Sequence, residues 1–241
     1  MGATSPGLHE ESPRTESRLM PAEYRVISLG TLASNTLWEE GGQVRTPHAT
    51  TTLIVTDACR ILVNPSLPAQ VLHARMGERT PVQPSDITHV FMTSLAEDHR
   101  HGLVGFERAT WLAHEPELVH VRSQLEQAVE DARDHADEET VAICEARLAP
   151  LASVQPAPDQ LVQGVDLFPL PGVTPGTCGL LISQPRATVV VTGDAVATSE
   201  HLEQGKVLPT CDDLEKARES FQETIEIADI IIPGRDNILI R

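Results

Sequence analysis

Aromatic side chains are scarce in this chain, because phenylalanine, tryptophan and tyrosine together make up only 3% of its 241 residues. The core must therefore consist mainly of aliphatic side chains, and an apolar content of 40% is enough for one sizeable core. No apolar run approaches the length of a bilayer span, so we expect no membrane partner. The first residues lack the apolar stretch of a secretory signal, and we interpret residues 1–20 as a flexible tail before a single domain at residues 21–241.

Positive charge is also in short supply, with 18 Lys and Arg against 35 Asp and Glu and a formal charge of −17. Such a field repels phosphate backbones and anionic lipids, which argues against nucleic-acid and membrane-surface partners. The cysteines are few and dispersed, and no Cys-x-x-Cys pair occurs among Cys59, Cys144, Cys178 and Cys211. This pattern predicts reduced thiols in an acidic, cytoplasmic protein and disfavours a zinc site made of thiolates.

The order of apolar patterns predicts a mixed α/β (α+β) fold. Short apolar runs predict strands at residues 24–32, 53–56, 61–63, 89–93, 111–113, 165–170, 179–183, 188–192 and 230–232. Spacings of three and four predict helices at residues 71–76, at 118–148 with a break near 135–139, and at 212–228. We expect Asp212 and Glu215 to form a capping box on the last helix, and residues 150–158 to be a loop. A group of strands followed by a helix occurs twice along the chain, which suggests two related halves with helices outside two central sheets.

Chemically active side chains are concentrated at the end of the predicted strand 89–93. The sequence continues as Thr93-Ser94-Leu95-Ala96-Glu97-Asp98-His99, so a hydroxyl, an acid and an imidazole lie together where α/β folds usually place their sites. This segment resembles the metallo-β-lactamase signature Thr-His-x-His-x-Asp-His.

Three later segments extend the resemblance to that superfamily, and they occur in the expected order. Pro171-Gly172-Val173-Thr174-Pro175-Gly176 is similar to the Pro-Gly-His-Thr-Pro-Gly turn, Gly193-Asp194 to the Gly-Asp strand end, and Pro233-Gly234-Arg235 to the terminal Pro-Gly-His loop. The resemblance implies a four-layer αβ/βα sandwich with the site at the edge between the two halves.

The same resemblance implies a dinuclear metal centre whose ligands are incomplete here. The three histidines of the first metal correspond to Ser94, Ala96 and Val173, and neither alanine nor valine has a donor atom. The second site retains Asp98, His99 and Asp194, but Arg235 occupies its fourth position. Arginine offers only hydrogen-bond donors and carries a charge that repels a metal ion.

We therefore predict a pseudoenzyme with a degenerate metal site and no cofactor, in which Arg235 replaces the metal charge beside Asp98 and Asp194. Its cleft would serve an unidentified small molecule or protein, and a homodimer is the default assembly. The alternative is a hydrolase of an ester, thioester or amide, with one divalent zinc, iron or manganese ion on Asp98, His99 and Asp194 and help from His101 or water.

Overall fold

The computed structural model describes residues 21–241, so the predicted tail at residues 1–20 lies outside the described part of the chain. The first of two six-stranded sheets follows chain order. Its strands are β1 (Glu23–Ser28), β2 (Thr51–Val55), β3 (Arg60–Val63), β4 (His89–Met92), β5 (Thr110–Ala113) and β6 (Val154–Pro156). Neighbours from β1 to β3 are antiparallel, whereas β3 to β6 run parallel.

The second sheet runs in the order β12-β11-β10-β9-β8-β7. Its strands are β7 (Gln160–Val162), β8 (Val165–Pro169), β9 (Cys178–Ser183), β10 (Thr188–Gly193), β11 (Ile230–Pro233) and β12 (Leu239–Ile240). Only β10 and β11 pair in parallel, and the other neighbours are antiparallel. Both sheets therefore combine a hairpin-connected part with a part reached through a helix.

Six α-helices flank the sheets within residues 21–241. They are α1 (Ala69–Arg79), α2 (Glu97–Arg100), α3 (Glu115–Asp134), α4 (Glu138–Leu148), α5 (Ser199–Gln204) and α6 (Leu214–Ile227). None of these helices is long and apolar enough to cross a bilayer.

The strands of both sheets are buried on two faces, which produces four layers. Along β3, Ile61 and Val63 point into the core between the sheets, whereas Leu62 packs with Leu72 of α1 on the opposite face. Along β10 the same alternation places Val190 in the core beneath α6. Because successive side chains of a strand alternate between faces, each aliphatic strand separates two cores. The predicted αβ/βα sandwich is confirmed.

The predicted helical regions are confirmed with different bounds: α1 extends beyond residues 71–76, α3 begins at Glu115 rather than at residue 118, and α6 begins at Leu214 rather than at residue 212. The predicted break near residues 135–139 is confirmed, since α3 ends at Asp134 and α4 begins at Glu138. The capping box at Asp212 is wrong. Asp213 is the N-cap instead, and its carboxylate accepts the backbone N–H groups of Glu215 and Lys216.

The prediction of a loop at residues 150–158 is also wrong in part. Strand β6 lies in this stretch and pairs in parallel with β5, with Val154 opposite Trp111. The buried side chain of Val154 packs into the core under α1 and α3. A long-range pairing thus overrides a proline-rich composition, as it can at a sheet edge. Local patterns also missed β7, α5 and β12.

The loops that follow β4, β8, β10 and β11 meet at one edge, between the two sheets. The backbone N–H of Cys178 donates to the carbonyl of Thr93 (3.0 Å), which joins the sheets, and the N–H of Thr50 donates to the carbonyl of Gly234 (2.6 Å). A Cβ on Gly234 would collide with Asp194 and Gly193, so only glycine lets the last loop lie against Asp194. This close approach places the next residue, Arg235, beside Asp194 at the edge between the two sheets.

Candidate functional site

The guanidinium of Arg235 lies between two carboxylates that come from different sheets. Its Nε donates to Oδ1 of Asp194 (2.8 Å) and one Nη donates to Oδ2 of Asp194 (2.6 Å), which makes a two-point fork. The other Nη donates to Oδ2 of Asp98 (2.6 Å). The Arg235 side chain is only 5% exposed. Forked, charge-assisted hydrogen bonds of this length are among the strongest polar contacts in proteins.

His99 completes this group of four side chains, which we call the arginine cluster: Asp98, His99, Asp194 and Arg235. Its imidazole is 1% exposed, and Nδ1 lies 3.1 Å from Oδ1 of Asp98. Nε2 faces Oδ2 of Asp194 at 3.6 Å and has no hydrogen-bond partner. The two carboxylates thus contact both the guanidinium and the imidazole, and the formal charges of Asp98, Asp194 and Arg235 sum to −1.

The electrostatics of the arginine cluster keep its acids ionised. Burial by itself raises the pKa of Asp98, but the hydrogen bond and charge of His99 and the charge of Arg235 outweigh burial and lower that pKa well below its usual range. Burial also opposes ionisation of Asp194, and the charges of Arg235 and His99 lower its pKa. Burial disfavours the charged form of Arg235, yet Asp194 and then Asp98 raise its pKa overall. The guanidinium therefore stabilises both carboxylates in their ionised form, and the carboxylates stabilise the charged guanidinium.

The three remaining predicted site residues do not join the arginine cluster. Ser94 is buried and its hydroxyl donates to Oε1 of Glu117 (3.0 Å). Ala96 is exposed and precedes α2. Val173 is half-buried and lines the cleft above Arg235. His101 is exposed and lines a different cleft, away from the two carboxylates.

Glu117 is the site residue that sequence reasoning missed. Its carboxylate is fully buried and accepts hydrogen bonds from the hydroxyl of Ser94, the N–H of Leu95 (2.8 Å) and the hydroxyl of Thr174 (2.5 Å). It thereby joins the loop after β4 to the Gly-rich turn after β8. In the metallo-β-lactamase motifs that these two loops resemble, the loops carry the three histidines that bind the first metal.

The sequence does contain a signal for Glu117, although a weak one. It lies in the first turn of α3, where a carboxylate is stabilised by the positive end of the helix dipole. The fully buried environment comes from Gly176, where a Cβ would collide with the backbone of Glu117. His114, the N-cap residue of α3, is half-buried, and its Nδ1 lies 3.0 Å from the carbonyl oxygen of Gly176.

A cleft of about 280 Å³ opens above the arginine cluster. Asp98 and Arg235 lie at its polar end, and its walls are largely apolar, formed by Leu32, Ala33, Pro47, Val173 and Leu208. His201 also lines it, with Nδ1 at 2.9 Å from the hydroxyl of Thr198. Burial lowers the pKa of His201, although Glu200 and Asp194 oppose this shift. Its imidazole therefore tends to present an uncharged face to the cleft at neutral pH.

These loops and layers define a metallo-β-lactamase-type protein, and comparison with known sequences agrees. The sequence model of the metallo-beta-lactamase superfamily matches residues 45–234. The chain belongs to this superfamily. Within residues 21–241, however, no three or more His, Cys, Asp or Glu side chains are grouped so that they could hold a metal ion.

Solved structures give the same fold at low sequence identity. A Thermotoga maritima protein assigned to the metallo-beta-lactamases has 17% identity and a TM-score of 0.67, covering 92% of this chain and 100% of its own. A Staphylococcus aureus protein assigned as a metal-dependent hydrolase has 16% identity and a TM-score of 0.62, with 86% and 85% covered. AidC, a dizinc quorum-quenching lactonase, has 14% identity and a TM-score of 0.60, with 86% and 81% covered. None of the curated proteins compared matches the chain.

We expect Glu117→Ala to lower the free energy of unfolding by about 3 kcal/mol, because the buried donors of Ser94 and Leu95 lose their acceptor and the half-buried hydroxyl of Thr174 loses one of its partners. The matched control is Glu115→Ala, in the same helical turn but exposed, which should cost less than about 1 kcal/mol. Urea denaturation measures both values. Hydrogen exchange should also show faster exchange of the Leu95 amide in Glu117→Ala, and equal effects of the two substitutions would contradict the role given to Glu117.

The lowered pKa of Asp98 predicts a specific pH dependence of stability. A carboxyl group with a folded-state pKa below its unfolded value stabilises the fold above the unfolded pKa, and this contribution is lost as pH falls toward the folded pKa. Between about pH 6 and about pH 3, the unfolding free energy of the wild type should therefore fall more steeply than that of Asp98→Asn. The control is Asp166→Asn on β8, where the carboxylate accepts an exposed hydrogen bond from Gln160, and this variant should keep the wild-type slope. If the unfolding free energies of the wild type and Asp98→Asn fell equally with pH, the stabilising role of ionised Asp98 would be contradicted.

Proposed function

We propose that this member of the metallo-hydrolase superfamily is a pseudoenzyme whose cleft is organised by Arg235 instead of a metal ion and serves to bind a small molecule. The observation that carries the proposal is the guanidinium forked on Asp194 and bonded to Asp98. A divalent cation in the superfamily neutralises carboxylates at this place. Here a covalently attached cation has the same partners, so the cleft can form without metal.

The donors that remain do not suit a metal ion while Arg235 is in this position. Two carboxylate oxygens of Asp194 and one of Asp98 are engaged by the guanidinium. A divalent ion beside these groups would lie close to a buried positive charge, and their repulsion in a partly buried site is severe. Displacing Arg235 would still leave the fourth position without a ligand, because arginine has no acceptor atom.

The first metal position is less suitable still. The hydroxyl of Ser94 is committed to Glu117, and the side chains of Ala96 and Val173 have no donor atom. Glu117 already joins the two loops that histidines and a metal would otherwise connect. The two internal contacts, the arginine cluster and the Glu117 carboxylate, together account for the loop geometry without a cofactor.

The hydroxyl of Ser94 does not provide a substitute for metal-activated water. Ser94 is 3% exposed, and a nucleophilic hydroxyl must be accessible and paired with a base. The imidazole of His99 is directed at Asp98 and Asp194. These features favour binding over hydrolysis. The cleft of about 280 Å³ is small, and its apolar walls with one polar end suit a compact ligand.

The first test is the stability of Arg235→Met, which keeps much of the side-chain volume and removes the charge. Breaking one partner out of a buried ionic cluster typically costs about 3–5 kcal/mol, and we expect a loss in this range. Arg186→Met, on an exposed turn of the second sheet, should change the unfolding free energy by less than about 0.5 kcal/mol. Urea denaturation at neutral pH measures both. An unchanged stability for Arg235→Met would remove the basis of the proposal.

The second test is metal content, measured by elemental analysis after purification without chelators. Wild-type protein should contain far less than one equivalent of zinc, iron or manganese. Arg235→His restores an imidazole at the fourth position of the second site, beside Asp98, His99 and Asp194, and should bind about one equivalent of zinc. Wild-type protein with about one tightly bound metal ion and hydrolytic activity lost on chelation would instead support the mononuclear hydrolase.

A further inference from the structure

A second cleft lies between α2 and α4, outside the arginine cluster. Its volume is about 430 Å³, within the range of about 300–1,000 Å³ typical of ligand pockets. One part of the lining is apolar and consists of Leu103, Val104, Ile143, Ala146 and Pro150. Val104 is 58% exposed and Ile143 is 45% exposed, so solvent reaches this apolar wall.

The other part of this cleft carries two guanidinium groups in a chain that is otherwise strongly acidic. Arg147 on α4 forms an ion pair with Glu97 (2.5 Å). Arg100 on α2 has no such partner within residues 21–241. Its Nε donates to the carbonyl of Leu95 (2.9 Å), and one Nη reaches the carbonyl of Arg147 (3.5 Å). Arg100 is half-buried, so water solvates its charge incompletely.

The guanidinium of Arg100 therefore has donors left for a bound anion, and the charges of Glu97 and Arg147 act on it. The charges of Arg100, Arg147 and Glu97 sum to +1, while the formal charge of the whole chain is −17. Salt screens distant charges over about 8 Å at physiological ionic strength, so the groups that line the cleft dominate its local potential. The planar fork of an arginine matches a carboxylate in particular.

We propose that this second cleft binds a small aliphatic monocarboxylate, with its carboxylate on Arg100 and its hydrocarbon chain against Val104 and Ile143. A single negative charge matches the local sum of +1. A dianionic phosphate would exceed this local sum and would lie beside the carboxylate of Glu97, which also lines the cleft. A neutral chain of the same length would bury the same apolar area but leave Arg100 unpaired.

Isothermal titration calorimetry of the full chain with hexanoate, 1-hexanol and hexylammonium separates these contributions. Hexanoate should bind saturably, and the other two compounds should bind at least about tenfold more weakly, since a hydrogen bond to a charged group typically contributes this much. Equal binding of hexanoate and 1-hexanol, or the absence of saturable hexanoate binding, would overturn the proposal.

Substitutions then locate the binding. Arg100→Gln should weaken hexanoate binding by about tenfold or more, whereas the exposed-turn control Arg186→Gln should bind as the wild type does. Because Arg100 also bonds the backbone of Leu95, Ile143→Asp provides an independent test at an exposed position, where an added carboxylate repels the ligand. Circular dichroism checks that each variant is folded. Wild-type affinity in a folded Arg100→Gln or Ile143→Asp variant would place hexanoate elsewhere and overturn the assignment.

Discussion

The pairing of Asp98 and Asp194 through Arg235 is the constraint on which this structure depends. Two ionised carboxylates that follow strands of different sheets repel each other in a buried cleft unless a cation lies between them, because burial removes the water that would otherwise screen their repulsion. The guanidinium satisfies this requirement with three short hydrogen bonds. Glycine at position 234 makes the geometry accessible, because it allows the last loop to lie against Asp194.

A covalently attached cation differs in kind from an exchangeable metal ion. It is present whenever the chain folds, it directs hydrogen bonds along fixed planar directions, and it cannot convert bound water into hydroxide. The buried carboxylate of Glu117 complements it by joining the loop after β4 to the turn after β8. The edge between the sheets is therefore ordered by contacts within the protein itself.

Helix α2 connects the two clefts, although it is only four residues long. Asp98 lines the cleft above the arginine cluster, whereas Glu97 and Arg100 line the cleft against α4. Backbone contacts hold this short helix on both sides, since the carbonyl of Asp98 accepts the N–H of Ala49 (3.0 Å) and Arg100 donates to the carbonyl of Leu95. A ligand that shifts α2 in one cleft would therefore also act on a residue of the other.

The sequence by itself determined the layers of the sandwich and the loops that form the site. The helix break near residue 135 is a local pattern and is confirmed, and the superfamily and the sandwich that the four ordered motifs implied are confirmed as well. The tertiary structure decided the rest: the pairing of β6, the N-cap at Asp213, the burial of Glu117 and the absence of an ion-pair partner for Arg100 within residues 21–241. Arg235 is 41 residues from Asp194 and 137 from Asp98. The motifs predicted that these groups would meet, but a hydrogen-bond pattern depends on packing between distant segments, which no local pattern encodes.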